Sequence, residues 1–319
     1  MKTIWMYAGQ GSQRAGMGKD FYETFPEYRR TIDSLNLSFD VKHMMHEGQL
    51  EELSRTKYTQ PCMAAFGAAV TAVLRSRGLS PDGVCGLSLG EYGALHAAGV
   101  MDADTYVRLV EFRGQAMEKA AQELKEAGNQ CSMSAVLGLN EEEVKTACEE
   151  SKAAGFVVPV NFNCPGQCVI CGEEEAVSMA EKKAKEKGAK RCIRLNVGGP
   201  FHTKYMKEAG RELEACLQQT KFEAPRIPVT LNITGELYEA GELKDLLVKQ
   251  IQNSVYFERQ LRAFLEAGAD TFVEIGPGNA LTGFAKKTAK AMGKTITAVT
   301  LDKAEDLQKY LETYGGRDE

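Results

Sequence analysis

Few residues of this chain could run covalent chemistry, and the most informative stand in one pentapeptide. Gly86-Leu87-Ser88-Leu89-Gly90 follows a short apolar strand signal, Val84 to Leu87, and opens a helical one, Glu91 to Ala98. A serine there stands on a strand-to-helix turn too tight for large neighbours. Glycine at both ends lets the backbones close up, and the free N–H groups of the helix N-terminus face an oxyanion. This is what an acyl-transferring nucleophile requires; the alternative is a chance G-x-S-x-G in a Gly-rich loop.

Such a serine needs a base, and the sequence holds four histidines. His43 and His46 form an H-x-x-H pair that suits a solvated or packing role better than a metal. His96 falls about two turns into the helix after Ser88, pointing away from it. His202, in Gly198-Gly199-Pro200-Phe201-His202, follows the last strand of a middle segment and so sits at a junction beside a cleft. No histidine follows it, so the Ser, acid, His order of an α/β-hydrolase is met only formally. A Ser88–His202 dyad, with the imidazole oriented by a backbone carbonyl, fits better.

Arg113 falls within the apolar stripe Leu109, Val110, Ala116, Met117, Ala120, Leu124 of a helix expected over 103–124. A cation there must be paired, by an internal carboxylate or by that of a substrate, and arginine suits two-point capture of a carboxylate. The loop Ala8-Gly9-Gln10-Gly11-Ser12-Gln13 is neither a dinucleotide loop, since Arg14 replaces the third glycine, nor a P-loop, since Met17 follows Gly16. It can present the Gln10 backbone N–H to an oxyanion opposite Leu89 N–H.

These residues need elements to position them. Strands at Ile4–Tyr7, Val84–Leu87, Val229–Ile233, Thr271–Ile275 and Ile296–Leu301 alternate with helical patterns, among them one from Pro61 to Arg77 with proline at its start. This is the rhythm of an α/β domain with a parallel sheet built from both ends of the chain. The middle reads strand 132–137, helix 141–152, strand 157–162, strand 168–171, helix 173–187, strand 192–196. That βαββαβ order is a ferredoxin-like unit. The expected division is a large domain over 1–128 and 197–319 with an inserted subdomain over 129–196, and a frayed tail from Gly315.

At 319 residues and 43% apolar composition the chain can bury a large core, and a net charge of −5 without long basic runs gives no footprint for nucleic acid. No run approaches membrane-spanning length. Nine cysteines, odd in number and irregular in spacing, read as reduced thiols of a cytoplasmic protein. Cys164, Cys168 and Cys171 come nearest to metal-ligand spacing but lack a second cluster and read as buried thiols.

Taken together, the chain resembles the malonyl-CoA:acyl carrier protein transacylases nearly end to end. The resemblance lies in Gly9-Gln10-Gly11-Ser12-Gln13, Tyr58-Thr59-Gln60-Pro61, Ser88-Leu89-Gly90-Glu91-Tyr92, Arg113 with Gly114 and Met117, Asn161-Phe162-Asn163 before Pro165-Gly166-Gln167, Gly199-Pro200-Phe201-His202, and Glu274-Ile275-Gly276-Pro277-Gly278. It implies an α/β-hydrolase-like core with a ferredoxin-like insert and a ping-pong transfer of malonyl from malonyl-CoA to the thiol of acyl carrier protein, with no bound cofactor or metal. Ser88 would be the nucleophile, His202 the base, Gln10 and Leu89 the oxyanion N–H groups and Arg113 the carboxylate ligand. Gln60, Asn161, Phe201 and Tyr256 would line the pocket.

The chain departs from the family with Leu87 where histidine is usual, and with Ala8, Cys164 and Thr203 at three further positions. In the family the carbonyl orienting the histidine comes from a segment matched here by 253–257, which puts Tyr256 at the contributing position. An unpaired arginine over a neutral acetyl group would forfeit about 3–5 kcal/mol, so malonyl is favoured over acetyl. One methyl group is worth only ~1–3 kcal/mol, and Phe201 is the residue expected to favour malonyl over methylmalonyl. The competing readings are a serine hydrolase, which would pass the acyl group to water, and a non-catalytic carrier-binding module. Fatty-acid and polyketide carriers both remain open as acceptors; Lys190, Arg191, Arg194, Lys286 and Lys287 are candidate docking residues for an acidic carrier.

Overall fold

The computed structural model describes residues 1–196, 198–239 and 241–315. In chain order its strands are Thr3–Tyr7 (β1), Gly83–Gly86 (β2), Cys131–Leu137 (β3), Val157–Cys164 (β4), Gln167–Glu173 (β5), Arg191–Arg194 (β6), Thr271–Ile275 (β7) and Thr297–Leu301 (β8). They form two sheets. The first is parallel, ordered β2-β1-β7-β8; the second is ordered β4-β5-β3-β6, with every pairing antiparallel. Every residue of β1, β2 and β7 is buried, as expected of parallel strands covered on both faces.

The second sheet and its helices, Glu141–Glu149 and Glu174–Glu186, have the βαββαβ order and strand arrangement of a ferredoxin-like unit. The first of these helices is fixed at its start by a capping box between Asn140 and Glu143. It ends at Glu149, three residues short of the expected end, and a short 3-10 turn follows at Lys152–Ala154. This unit has apolar clusters of its own, around Val136, Val144 and Ile170 and around Met133, Val160 and Val169, apart from the main core on the parallel sheet. The expected subdomain boundary at residue 197 and the tail residues 316–319 lie outside the described residues.

Two expected elements come out differently. Pro61 does not start its helix but lies inside Thr56–Ser76. The turn before it is anchored without the lost N–H: Lys57 N–H donates to Glu118 and Thr59 Oγ1 to Leu53 O. Residues 229–233 do not form a strand. The segment touches β2 through Val84 N–H to Pro228 O and Thr230 N–H to Val84 O, then turns back at Gly235, whose N–H donates to Leu231 O. The side chain of Asn232 is diverted into the turn that carries Ser88, which ends the pairing.

Candidate active site

The turn after β2 is held by overlap and by strain. A Cβ on Gly86 would collide with the Gly90 carbonyl, and one on Gly90 with the carbonyl of Tyr7 at the end of β1. Ser88 takes φ 55°, a left-handed conformation that costs a non-glycine residue on the order of 1–3 kcal/mol. Asn232 supports it: Ser88 N–H donates to Asn232 Oδ1 at 2.6 Å, and Asn232 Nδ2 donates to Gly86 O at 2.7 Å. The helix Gly90–Ala97 begins immediately after.

Among the described residues the only other non-glycine residue with positive φ is His202, at 61°. Its Nε2 lies 2.8 Å from Ser88 Oγ and its Nδ1 lies 2.9 Å from Gln250 O. A carbonyl only accepts, so Nδ1 carries the proton and Nε2 is free to accept from the serine. Burial, with the nearby Arg113 charge, pushes His202 down to about 4 against the opposing backbone bonds of Gln250 and Asn253. The imidazole is therefore neutral and available as a base.

This geometry corrects the expectation for Tyr256. The orienting carbonyl belongs to Gln250, the last residue of helix Leu243–Gln250, where helix carbonyls lack an internal partner. Tyr256 lies six residues on and does not line the cavity: its ring stacks on Phe162 at 5.0 Å, with Arg259 above it at 4.1 Å.

Arg113, 1% exposed, projects from helix Ala103–Glu126 toward the nucleophile. Its Nη1 donates to Gln60 Oε1 at 2.6 Å; its Nη2 donates to Gln250 Oε1 at 3.0 Å and to Ser88 Oγ at 3.2 Å. The guanidinium also sits over the Tyr92 ring at 5.5 Å. Among the described residues no carboxylate forms an ion pair with it and Nε has no hydrogen-bond partner. Of the two pairings left open by the sequence, a direct internal carboxylate is absent there.

A cavity of about 150 Å³ opens onto Ser88 and His202. Gly9, Gln10, Gln60, Leu87 and Met117 line one side; Met133, Asn161, Asn163, Val169 and Leu195 line the other, with Phe201 beside the histidine. Gln10, Gln60, Asn161 and Phe201 are thus among the residues that line this cavity. Leu87 N–H donates to Tyr7 O at 3.1 Å, which ties the serine turn to the end of β1, next to the loop that carries Gln10. Among the described residues neither Gln10 N–H nor Leu89 N–H has an acceptor.

The other flagged residues do other work. His96 is buried, its Nδ1 3.0 Å from Met101 O and its ring stacked on Tyr106, and His46 packs edge-on against Tyr22. All nine cysteines are free thiols. Among the candidate docking residues Lys190, Arg191, Lys286 and Lys287 are exposed, whereas Arg194 is engaged by Glu174 and Glu181. Gln250, Asn232 and Glu91 were not identified as site residues. Gln250 continues the buried stripe of Leu243 and Leu247, so the rule that found Arg113, a polar group in an apolar stripe, would have found it too.

A serine held at left-handed φ after a parallel strand, paired with a carbonyl-oriented histidine and touched by a buried arginine, is an arrangement for acyl transfer. The acyl transferase domain matches residues 4–314. Malonyl CoA-acyl carrier protein transacylases of Bacillus subtilis and Escherichia coli K12 are 36% and 37% identical to the chain. The first match covers 92% of both chains, the second 96% of this chain and 98% of the relative. The MCAT of Streptococcus pneumoniae superimposes with a TM-score of 0.90 at 37% identity, covering 98% of this chain and all of that one. A malonyl-transacylase solved in complex with a type II PKS acyl-carrier protein also gives 0.90, at 35% identity and the same coverage. The chain therefore belongs to the acyl transferase domain family, among the malonyl CoA-acyl carrier protein transacylases.

Proposed function

We propose that this protein moves a malonyl group from malonyl-CoA to the phosphopantetheine thiol of acyl carrier protein through a Ser88 acyl-enzyme. The observation that carries the reading is the Arg113 guanidinium, buried, held by neutral amide oxygens and 3.2 Å from Ser88 Oγ. A cation so placed favours an acyl group that ends in a carboxylate.

In the first half-reaction Ser88 Oγ attacks the thioester carbon while His202 Nε2 takes the Oγ proton. The carbonyl electron pair moves onto oxygen, where Gln10 and Leu89 N–H groups stabilise it. Collapse breaks the carbon–sulfur bond, and the CoA thiolate leaves with the proton from His202. In the second half-reaction His202 takes the proton of the carrier thiol, whose sulfur attacks the malonyl ester; the ester carbon–oxygen bond breaks, and Ser88 Oγ leaves with the proton returned by His202. Arg113 grips the malonyl carboxylate through both halves; Gln60, Asn161 and Phe201 shape the space around it. The cleft floor is the 1–128 and 197–319 body and its roof the 129–196 subdomain. The scheme calls for no cofactor, and the nine free thiols suit the reducing cytoplasm. Among the described residues no helix is long and apolar enough to cross a membrane.

We take the carrier to be that of fatty acid synthesis. A polyketide carrier is the second reading, since one similar structure holds a type II PKS carrier protein. Intact mass after brief exposure to malonyl-CoA tests the chemistry: a malonyl adduct that requires Ser88 and is discharged by a holo-carrier protein supports transfer. Prompt release of free malonate supports a hydrolase instead, and relative discharge onto the two carriers decides between the pathways.

A further inference from the structure

Glu91 is fully enclosed, and the transfer scheme above makes no use of it. Its Oε1 accepts from Asn232 N–H at 2.8 Å and its Oε2 accepts from Gln250 Nε2 at 2.6 Å. Gln250 Nε2 also donates to Ser88 O at 2.7 Å, and Gln250 Oε1 accepts from Arg113 Nη2 at 3.0 Å. One amide thus stands between a buried carboxyl group and a buried guanidinium.

We propose that Glu91 is a positioning residue for carboxylate recognition, fixing Gln250 with its amide oxygen toward the Arg113 guanidinium. The inference rests on the malonyl-transfer reading above. A side-chain amide can turn end for end, and its partners decide which end faces where. Turning Gln250 would set its NH2 against the Arg113 donors and its oxygen against both the Glu91 carboxylate and Ser88 O. Every contact would then pair like with like, so Glu91 and Ser88 O lock the orientation.

The distance of the carboxyl group is what makes this a recognition device. A carboxylate in direct contact with Arg113 would neutralise it and occupy the donors a substrate carboxylate needs. Two neutral amides, Gln60 and Gln250, hold the guanidinium in place, and the Glu91 carboxyl group sits behind one of them. Arg113 remains charged, oriented and open to an incoming anion. The same carboxyl, through Asn232, is tied to the turn that carries Ser88, which sets the arginine and the nucleophile in one frame.

The test compares the parent chain with Glu91→Gln and Gln250→Met. Ser88 acylation by malonyl-CoA and by acetyl-CoA is followed by quenched intact mass, and labelling by a fluorophosphonate, which carries no carboxylate, reports the reactivity of Ser88 without carboxylate recognition. Glu91→Gln keeps the shape, removes the acid, and must set an NH2 against either Asn232 N–H or Gln250 Nε2, so one of the carboxyl group's two bonds is lost. Each variant is expected to raise the KM for malonyl-CoA about tenfold, with the malonyl-to-acetyl ratio falling alike and malonyl acylation losing more than fluorophosphonate labelling does. An unchanged ratio overturns the proposal. So does an equal fall in all three reactions, which would make Glu91 a strut of the turn. If Glu91→Gln does not fold, Gln250→Met, which leaves the Glu91–Asn232 bond intact, decides on the same ratio. A parent chain that forms no malonyl adduct overturns the transfer reading and this one with it; a parent adduct with an unshifted ratio overturns this inference alone.

Discussion

The two walls of the cleft are built on opposite principles. On the parallel-sheet side polar groups are knitted together: Ser88 to His202 to Gln250 O, Arg113 to Gln60 and Gln250, Glu91 to Asn232. On the antiparallel side the cavity is faced by Met133, Val169 and Leu195, together with Asn161 and Asn163, and Asn163 Oδ1 is buried without a partner among the described residues. A wall whose hydrogen bonds are made before the ligand arrives is preorganised for chemistry; a wall with polar capacity to spare suits contacts that form only with a ligand in place. Under the proposed function the difference divides labour, with reaction and acyl choice assigned to one wall and general substrate binding to the other.

The hardest blow to that division is His202→Ala. Losing a general base costs about 10²- to 10⁴-fold, so Ser88 acylation by malonyl-CoA and by acetyl-CoA should fall together by that much, with KM little changed. Stopped-time mass spectrometry reads both rates; a fall confined to malonyl-CoA would move the histidine into substrate choice. Arg113→Ala comes next. Losing a desolvated partner worth roughly 3–5 kcal/mol should cut malonyl transfer by about two to nearly four orders of magnitude while acetyl transfer holds or rises. A malonyl-to-acetyl ratio equal to the parent's would remove Arg113 from acyl choice. The other wall should respond more weakly and without discrimination. Asn161→Ala should lose one hydrogen bond, about 1 kcal/mol, raising both KM values some fivefold with kcat steady. If it altered the malonyl-to-acetyl ratio, the two walls would not be dividing the work as described.

The legible parts of this molecule are those where one residue breaks a local pattern. Ser88 stands between close-packed glycines, Arg113 interrupts an apolar stripe, and the βαββαβ order separates the antiparallel unit from the rest, so each could be read without coordinates. The resemblance added Gln10, Gln60, Asn161 and Phe201, which the cavity gathers. What escaped was set by tertiary contact. Whether residues 229–233 pair as a strand depends on Asn232 reaching across to Ser88, a partner 144 positions away. The carbonyl that orients His202 depends on where helix Leu243–Gln250 stops, and boundaries are the weakest part of any sequence pattern, hence Gln250 in place of Tyr256. Pro61 was read as a helix start by its usual preference, but anchors from Glu118 and Leu53 hold the turn ahead of it.

The gentlest test acts through pH on the knitted wall alone. Burial and the Arg113 charge lower His202 from 6.5 to about 4, so the neutral base persists where an ordinary histidine would be protonated. Fluorophosphonate labelling of Ser88, whose reagent brings no carboxylate to Arg113, should stay within about twofold from about pH 8 to about pH 5.5; a histidine titrating at its usual value would lose about tenfold over that span. The cost appears in stability. The unfolded chain protonates this histidine below about 6.5 and the folded one does not, so its contribution, intact above 6.5, is lost as pH falls toward 4, on the order of 1.4 kcal/mol per unit. Glu91 runs the other way. Burial raises it from 4.5 to about 7 against its bonds to Asn232 and Gln250, so its contribution is present at low pH and lost as pH rises through that window. The two slopes oppose each other between about 4.5 and 6.5. Replacing Glu91 by glutamine should therefore leave the labelling rate flat while making chemical-denaturation stability fall more steeply on acidification than in the parent. A labelling limb near 6.5 would mean that the histidine is not shielded, and the knitted wall would lose its claim to be preorganised.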